Sequence, residues 1–327
     1  MTTIAYSSPF VPPEWIAAHG LRPKRIVPHA AAASAAVEVL PGVCPYARAF
    51  VSDVLSDTEA VAVVATTTCD QMRRAPDLVE LYRDMPVFLM NVPATWQTAS
   101  AQRLYRDELE RLGRFLERLG AKAPANEELA QVMLDYDALR AGLRSARDRL
   151  TARQWAEELA RLGGNGNVQL DDGGRLNGSN GVRLAIVGGP LLQDDFEIYE
   201  LVEVAGGRIV LDATETGERA LPAPFDRRRV RDDPLGELAD AYFGAIPDAF
   251  RRPNSRLYEW LEAALAEHAV AGIIFHHYVW CDMWGAEAYR LKEWSNVPVL
   301  ALSTGDSAAD QRTRIAGQVA AFMEMLA

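Results

Sequence analysis

The sequence has few cysteines, a deficit of basic residues and no long hydrophobic run. Its 327 residues include 3 cysteines, and 45 acidic side chains outnumber 34 lysines and arginines, which gives a net charge of −11. Phosphate backbones are bound by basic surfaces, so this balance argues against nucleic acid as the main partner. No apolar run reaches the roughly 18 residues of a membrane span, and the N-terminal segment has no secretory pattern. We therefore expect neither membrane insertion nor secretion.

The odd number of cysteines bears on the compartment. A secreted chain with three cysteines would leave one thiol unpaired. We therefore predict a cytoplasmic protein whose thiols are free or bound to metal. With 49% hydrophobic and 24% charged residues, the composition is that of an ordinary globular protein, and a chain of this length can bury a large core without cross-links.

Common short motifs of nucleotide and hydrolytic sites are also missing. The sequence has no GxGxxG, Walker lysine, GxSxG, HExxH or CxxC. The stretch "VGGPLLQDD" follows a predicted strand, and a tight turn explains it better than a phosphate site does. His276 and His277 are adjacent in an apolar strand and point to opposite faces. That arrangement favours one packed and one surface histidine over two ligands of one metal.

Apolar runs that alternate with helical patterns predict an α/β fold with two open, mostly parallel sheets of the Rossmann or flavodoxin type. A helical insertion interrupts this alternation, because apolar residues recur at steps of three and four from Tyr105 to Leu119 and from Leu129 to Leu150. The predicted organisation is a first α/β domain (1–97), the helical insertion (98–163), a Gly/Asn-rich connection (164–181) and a second α/β domain (182–327).

The three cysteines, Cys44, Cys69 and Cys281, all stand directly before helical patterns, in "GVCPYARAF", "TTTCDQMRR" and "VWCDMWG". Free cysteine is more often a small buried hydrophobe within a regular element. Cys69 and Cys281 also follow apolar strands, and ligands gather at the carboxyl ends of parallel strands. Three thiolates in one cleft would suit an iron–sulfur cluster or zinc, with one ligand position left open. Three unrelated thiols are the alternative, and a single thiol nucleophile would explain only one of them.

Several segments, taken in order, resemble the iron–sulfur subunits of 2-hydroxyacyl-CoA dehydratases, a family that includes benzoyl-CoA reductase subunits and double-cubane cluster proteins. "CPYARAFVSDVL" and "TTTCDQMRRAPDLVE" look like the first two cluster cysteines with their helices. "RLAIVGGPLLQDDFEIYELVEVAGG" resembles the start of the second domain, and the segment from Trp280 onward resembles the closing one. The family's opening pattern P-E-x-I-x-A-x-G-x-x-P is matched by Pro13, Glu14, Ile16, Ala18, Gly20 and Pro23.

This resemblance implies that Cys44, Cys69 and Cys281 hold one [4Fe–4S] cluster. It also implies a homodimer, or a heterodimer with a homologous subunit, and a separate ATP-hydrolysing iron–sulfur activator that delivers a low-potential electron. The implied activity is ketyl-radical dehydration or reduction of an acyl-CoA, by a lyase or by an ATP-dependent reductase. One alternative is a double-cubane homodimer that reduces small non-CoA substrates and shares an [8Fe–9S] cluster. Another is a benzoyl-CoA reductase-type subunit.

The resemblance does not supply an acid–base residue. Glu14 and Asp70 are the nearest matched carboxylates. A carboxylate in the first turn of a helix stabilises that turn through the helix dipole, and this role explains both residues better than catalysis does.

Overall fold

Two four-stranded sheets, in each of which every described strand runs parallel, form the framework of the chain. The computed structural model describes residues 1–30, 42–169, 181–305 and 308–326, so most of the predicted Gly/Asn-rich connection lies outside the described residues. The strands of the first sheet are β1 (Thr3–Tyr6), β2 (Arg22–Arg25), β3 (Ala60–Thr66) and β4 (Val87–Met90). Those of the second are β5 (Val182–Gly188), β6 (Gly207–Ala213), β7 (Gly272–Tyr278) and β8 (Val299–Thr304). The predicted α/β fold class is confirmed.

The two sheets have the same strand order. It is β2-β1-β3-β4 in the first sheet and β6-β5-β7-β8 in the second. In each sheet the direction of winding reverses between the two central strands, which are β1 and β3, or β5 and β7. In open parallel sheets this switch point leaves a crevice at the carboxyl ends of the strands, where ligands bind.

Helices connect the strands and cover the sheets. The first half contains α1 (Pro13–Ala18), α2 (Pro45–Ser56) and α3 (Asp70–Tyr82). The helical region contains α4 (Ala99–Arg118), α5 (Asn126–Ala146) and α6 (Ala152–Asn165). The second half contains α7 (Glu197–Val204), α8 (Arg227–Asp232), α9 (Pro234–Ala239), α10 (Ser255–Glu267), α11 (Asp282–Trp294) and α12 (Ala308–Leu326). No helix in the described ranges combines the length and apolar character needed to cross a membrane.

The first sheet differs from the sequence prediction in two places. Strand β1 was not predicted, although it is central and its Ile4 and Ala5 are completely buried. It is too short, at four residues, to show a periodic pattern. The short run "KRIVP" predicts a strand from Lys24 onward, but β2 lies over Arg22–Arg25. It is an edge strand, so its charged side chains can reach outward, and Arg22 and Lys24 form ion pairs with Glu59.

The helical region shares a core with the first sheet and with part of the second half. Tyr105 and Leu109 of α4 are fully buried, as the apolar stripe predicts. The ring of Tyr105 stacks on Phe243, with the ring centroids 4.8 Å apart. The chain after β6 therefore returns to pack against the first sheet, and Ile4 and Phe243 belong to one apolar cluster. The domain boundaries given above stay a prediction.

A buried ion pair joins the first helix to the helical region. Arg140 Nη1 of α5 donates to Glu14 Oε1 of α1 over 2.5 Å, and the side chains are 2% and 0% exposed. The Tyr242 hydroxyl donates to the other carboxylate oxygen over 2.7 Å. A carboxylate that is wholly removed from water must be paired in this way, because an unpaired buried charge is strongly destabilising.

We expect Arg140→Ala to lower the free energy of unfolding by about 3–5 kcal/mol, because it leaves the buried Glu14 carboxylate without its cation. Tyr242→Phe removes one hydrogen bond and should cost about 1–2 kcal/mol. Arg106→Ala is the matched control, because Arg106 pairs with Asp233 at the surface, with the side chains 40% and 51% exposed. It should cost about 1 kcal/mol or less. Urea denaturation monitored by circular dichroism measures all three, and similar losses for Arg140→Ala and Arg106→Ala would contradict the assignment.

Candidate functional site

Each of the three cysteines is the residue immediately before the first turn of a helix. Cys44 precedes α2, Cys69 precedes α3 and Cys281 precedes α11. Pro45 occupies the first position of α2, where its missing N–H costs nothing. The structure thus places all three thiols at helix starts, where backbone N–H groups are free to interact with them.

The three cysteines line one cavity of about 50 Å³, called here the cysteine cavity. This is room for more than one water molecule. The cavity lies where the carboxyl ends of the two sheets face each other, because its wall contains residues that follow strands of both. These residues are Ser7 and Ser8 after β1, Thr68 after β3, Gly189 and Pro190 after β5, and Glu215 after β6.

Burial dominates the electrostatics of the thiols. It raises the pKa of Cys44 to about 11 and that of Cys281 to about 12, and it also raises the pKa of Cys69. The neighbouring thiols act in the same direction for Cys44 and Cys281, while helix amides such as those of Tyr46 and Ala47 beside Cys44 oppose it. In the metal-free protein these groups are therefore protonated thiols rather than activated nucleophiles. A bound cation would reverse that preference.

Within the described ranges, no group of three or more His, Cys, Asp or Glu side chains is placed to hold a single metal ion. An iron–sulfur cluster makes a different demand, because each thiolate binds its own iron atom and the sulfurs need not meet at one point.

Two tyrosines fix the walls of the cysteine cavity. The Tyr278 hydroxyl, at the end of β7, donates to the carboxylate of Asp195 and accepts from the Leu192 amide over 2.7 Å. Burial raises the pKa of Asp195 to about 6. The Tyr46 hydroxyl and Ser7 Oγ are 2.8 Å apart. These bonds hold the loops after β5 and β1 against the cysteine-bearing segments.

Glu215 is the site residue that the sequence analysis missed. Its amide donates to the Gly189 carbonyl over 3.2 Å, and its own carbonyl accepts from Arg25 Nη2 over 2.8 Å. Burial, reinforced by Asp248, raises the pKa of its carboxyl to about 7, while Arg219 and Arg25 act in the opposite direction. The sequence did contain a signal for this residue. Glu215 comes just after β6, in "DATETGER", and therefore lies at the same edge of the sheet as Cys281, which follows β7.

A buried ion pair between Arg219 and Asp248 lies close enough to Glu215 to affect its pKa. Arg219 Nη1 donates to Asp248 Oδ2 over 2.6 Å, and the same guanidinium donates to the carbonyls of Gly188, Ala213 and Pro247. The glycines of "VGGP" serve close packing here. A Cβ at Gly188 would come within 2.1 Å of the His276 carbonyl oxygen. This packing accounts for the two glycines without a bound phosphate.

The two adjacent histidines differ in burial. His276 is completely buried, and its Nε2 lies 2.8 Å from Thr304 Oγ1. Its Nδ1 has no hydrogen-bond partner among the described residues. His277 is half-buried, and its Nδ1 lies 3.1 Å from the Tyr278 carbonyl oxygen. His276 is the packed histidine, as predicted. His277 is not at the open surface, because both histidines line the cysteine cavity.

The two matched carboxylates do not line the cysteine cavity. Glu14 is committed to Arg140 and Tyr242, as described above. Asp70 follows Cys69 directly, but its side chain is 96% exposed and lies 3.9 Å from Arg73 in the first turn of α3. Neither residue is brought to the thiols as an acid or base, and the position of Asp70 suits the helix-stabilising role.

The comparisons with known proteins include a family match over nearly the whole chain. The family model of the 2-hydroxyglutaryl-CoA dehydratase D-component matches residues 9–326. No curated protein matches the chain. A solved structure described as the SBP FpvC from Pseudomonas aeruginosa in complex with Mn2+ is 14% identical. The match covers 100% of this chain and 98% of that chain, with a TM-score of 0.26, which is too low to support any argument.

The burial of His276 predicts a loss of stability in acid. Burial lowers its pKa from 6.5 to about 3, so the native state favours the neutral ring. The resulting stability is complete above pH 6.5 and is lost as the pH falls towards 3. Between pH 7 and pH 5, His276 should account for about 2 kcal/mol of the decrease in the free energy of unfolding.

Urea titrations at the two pH values test this, with His276→Gln compared with His29→Gln, whose side chain is 65% exposed. The His276 variant should lose less stability than the wild type on acidification, whereas the His29 variant should behave like the wild type. An unchanged pH dependence in His276→Gln would show that the buried ring does not resist protonation.

Proposed function

We propose, because the chain belongs to the 2-hydroxyglutaryl-CoA dehydratase D-component family, that it is the iron–sulfur component of a 2-hydroxyacyl-CoA dehydratase-type enzyme. In this proposal Cys44, Cys69 and Cys281 are the protein ligands of one [4Fe–4S] cluster. The chain works in a reducing compartment, the cytoplasm, where thiols stay available to metal.

The observation that carries the proposal is the meeting of all three cysteines of the chain in one cavity. They are separated by 25 and 212 residues, as their numbers 44, 69 and 281 require, yet they line the same space. Each comes from the start of a different helix, and they come from both halves of the chain. Three unrelated thiols would have no reason to share one crevice at the switch points of two sheets.

The donor set and its surroundings fit a cluster. Thiolates are soft ligands that suit iron–sulfur centres, and the amides at the three helix starts favour negative charge on sulfur. When bound, a cluster with three protein thiolates supplies a redox centre that has one iron open to an outside ligand. The chain itself contributes a water-poor space, because Phe10, Phe50 and Val64 line the cavity and are nearly or completely buried. The hydrogen bonds of Tyr46 and Tyr278 hold in place the loops that form the wall of the cavity.

The proposal includes partners, because the resemblance to the dehydratase family implies them. A separate ATP-hydrolysing activator delivers the low-potential electron, and a homologous subunit or a second copy completes the enzyme. Acyl-CoA dehydration is the favoured reaction. A double-cubane homodimer would use the same three cysteines, so the ratio of iron to sulfide separates the two alternatives.

We expect anaerobic purification with iron and sulfide to yield brown protein with about four iron and four sulfide per chain. Cys69→Ala should lose most of the iron and the reduced-state EPR signal, because it removes one of only three ligands. His277→Gln is the matched control, because His277 lines the same cavity. It should retain iron, since the histidine is not a ligand in this proposal.

Colourless protein after reconstitution would contradict the proposal, and so would full iron retention in Cys69→Ala. Loss of iron in His277→Gln with retention in Cys69→Ala would move the site to the histidines. About eight iron and nine sulfide per dimer would select the double-cubane alternative.

A further inference from the structure

We propose that the cysteine cavity takes an acyl group that carries no charge, and that Glu215 sets this specificity. The inference rests on the proposed function, since it places the acyl part of a CoA thioester beside the cysteines. It goes further by naming the class of acyl group. It also departs from the substrate in the family's description, because the 2-hydroxyglutaryl group ends in a carboxylate.

The charges around the cavity carry the argument. The described residues that line it include two carboxylic acids, Glu215 and Asp248, and neither lysine nor arginine. The guanidinium of Arg219 lies close by, but it is bound to Asp248 and to three backbone carbonyls. Arg25 donates to the carbonyls of Ser7 and Glu215. A substrate carboxylate would therefore meet acids in this space, without a lysine or arginine among the described lining residues to pair with.

Hydrogen bonds fix the backbone of Glu215 at the wall of the cysteine cavity. Its backbone is bound on both sides, by Gly189 of the second half and by Arg25 of the first. The turn that follows needs glycine, because a Cβ at Gly217 would lie 2.2 Å from Asp212 Oδ1. Glu215 is partly buried, and its carboxyl forms no hydrogen bond or ion pair with any described residue. It is thus an acidic group on a fixed backbone, with its carboxyl open to water or to a ligand at the cavity wall.

The rest of the lining favours an uncharged chain with polar oxygens. Apolar side chains contribute much of the wall, and the hydroxyls of Ser8, Thr66 and Thr68 can bind an oxygen of the substrate. Trp284 is 1% exposed, and its indole N–H has no partner among the described residues. These donors suit hydroxyl and thioester oxygens. A terminal carboxylate would lose its water shell and lie near like charges, and both effects oppose binding.

Two thioesters that differ only at the end of the acyl chain test this. They are 2-hydroxyglutaryl-CoA, which ends in a carboxylate, and 2-hydroxypentanoyl-CoA, which has the same carbon count and ends in a methyl group. Dissociation constants are measured anaerobically by calorimetry, without activator, on metal-free and cluster-loaded protein. Wild type should bind the pentanoyl thioester at least about tenfold more tightly, because an unpaired carboxylate in a low-dielectric site is strongly disfavoured.

At pH 8, above the pKa of about 7 of its carboxyl, Glu215 carries a negative charge that Glu215→Gln removes with little change of shape. The substitution should then reduce this preference by about tenfold, mainly through tighter binding of the glutaryl thioester. Glu203→Gln is the control, because Glu203 is an exposed carboxylate on α7. It should leave the ratio unchanged.

Equal or tighter binding of 2-hydroxyglutaryl-CoA by wild type would overturn the inference. A ratio unaffected by Glu215→Gln would do so too, as would binding of neither thioester. Iron and sulfide analysis of the same samples tests the proposed function separately. A chain that takes up no cluster contradicts that function, while its metal-free form still reports the preference between the two thioesters.

Discussion

Within each sheet all described strands run parallel, so every loop that follows a strand emerges at the same edge. This constraint brings distant parts of the sequence together. The loops after β1, β3, β5, β6 and β7 all contribute to the wall of one cavity. The repeated strand order gives each half its own switch point. Because the two carboxyl-terminal edges face each other, the two crevices become a single space that neither half could enclose alone.

Two buried ion pairs, Glu14 with Arg140 and Asp248 with Arg219, stabilise the framework. The first lies away from the cysteine cavity. In the second, Asp248 lines the cavity, and the Arg219 guanidinium is also bound to three backbone carbonyls. Glu215 is the contrasting case, because its backbone is bound at both ends while its carboxyl has no partner among the described residues. Glu215 is also only partly buried, so its carboxyl stays open to water or to a ligand at the cavity wall.

The sequence allowed the fold class and the position of each cysteine in its element to be predicted, because both depend on local signals. Apolar runs identified β3, β5 and β7, and helix-start patterns placed Cys44, Cys69 and Cys281. Strand β1 was missed because four residues without a periodic pattern carry too little local information, although tertiary pairing makes it central. Glu14 was matched by its motif, but its burial against Arg140 depends on a contact 126 residues away. Glu215 was missed for the same reason, since only folding brings it to the cysteines.

The family match and the cavity answer different questions about the substrate. A match over residues 9–326 reflects the fold and the order of the segments, which the whole family shares. The choice of acyl group depends on a few side chains that face the ligand, and such residues can differ while the framework remains. In this chain, Glu215 and Asp248 line the space beside the thiols, and the described lining residues include neither lysine nor arginine. In the proposals made above, the cysteines supply the chemistry and Glu215 sets the choice of acyl group, so separate residues are responsible for the two. A shared cluster-binding framework is therefore compatible with an acyl group that differs from the one in the family's name.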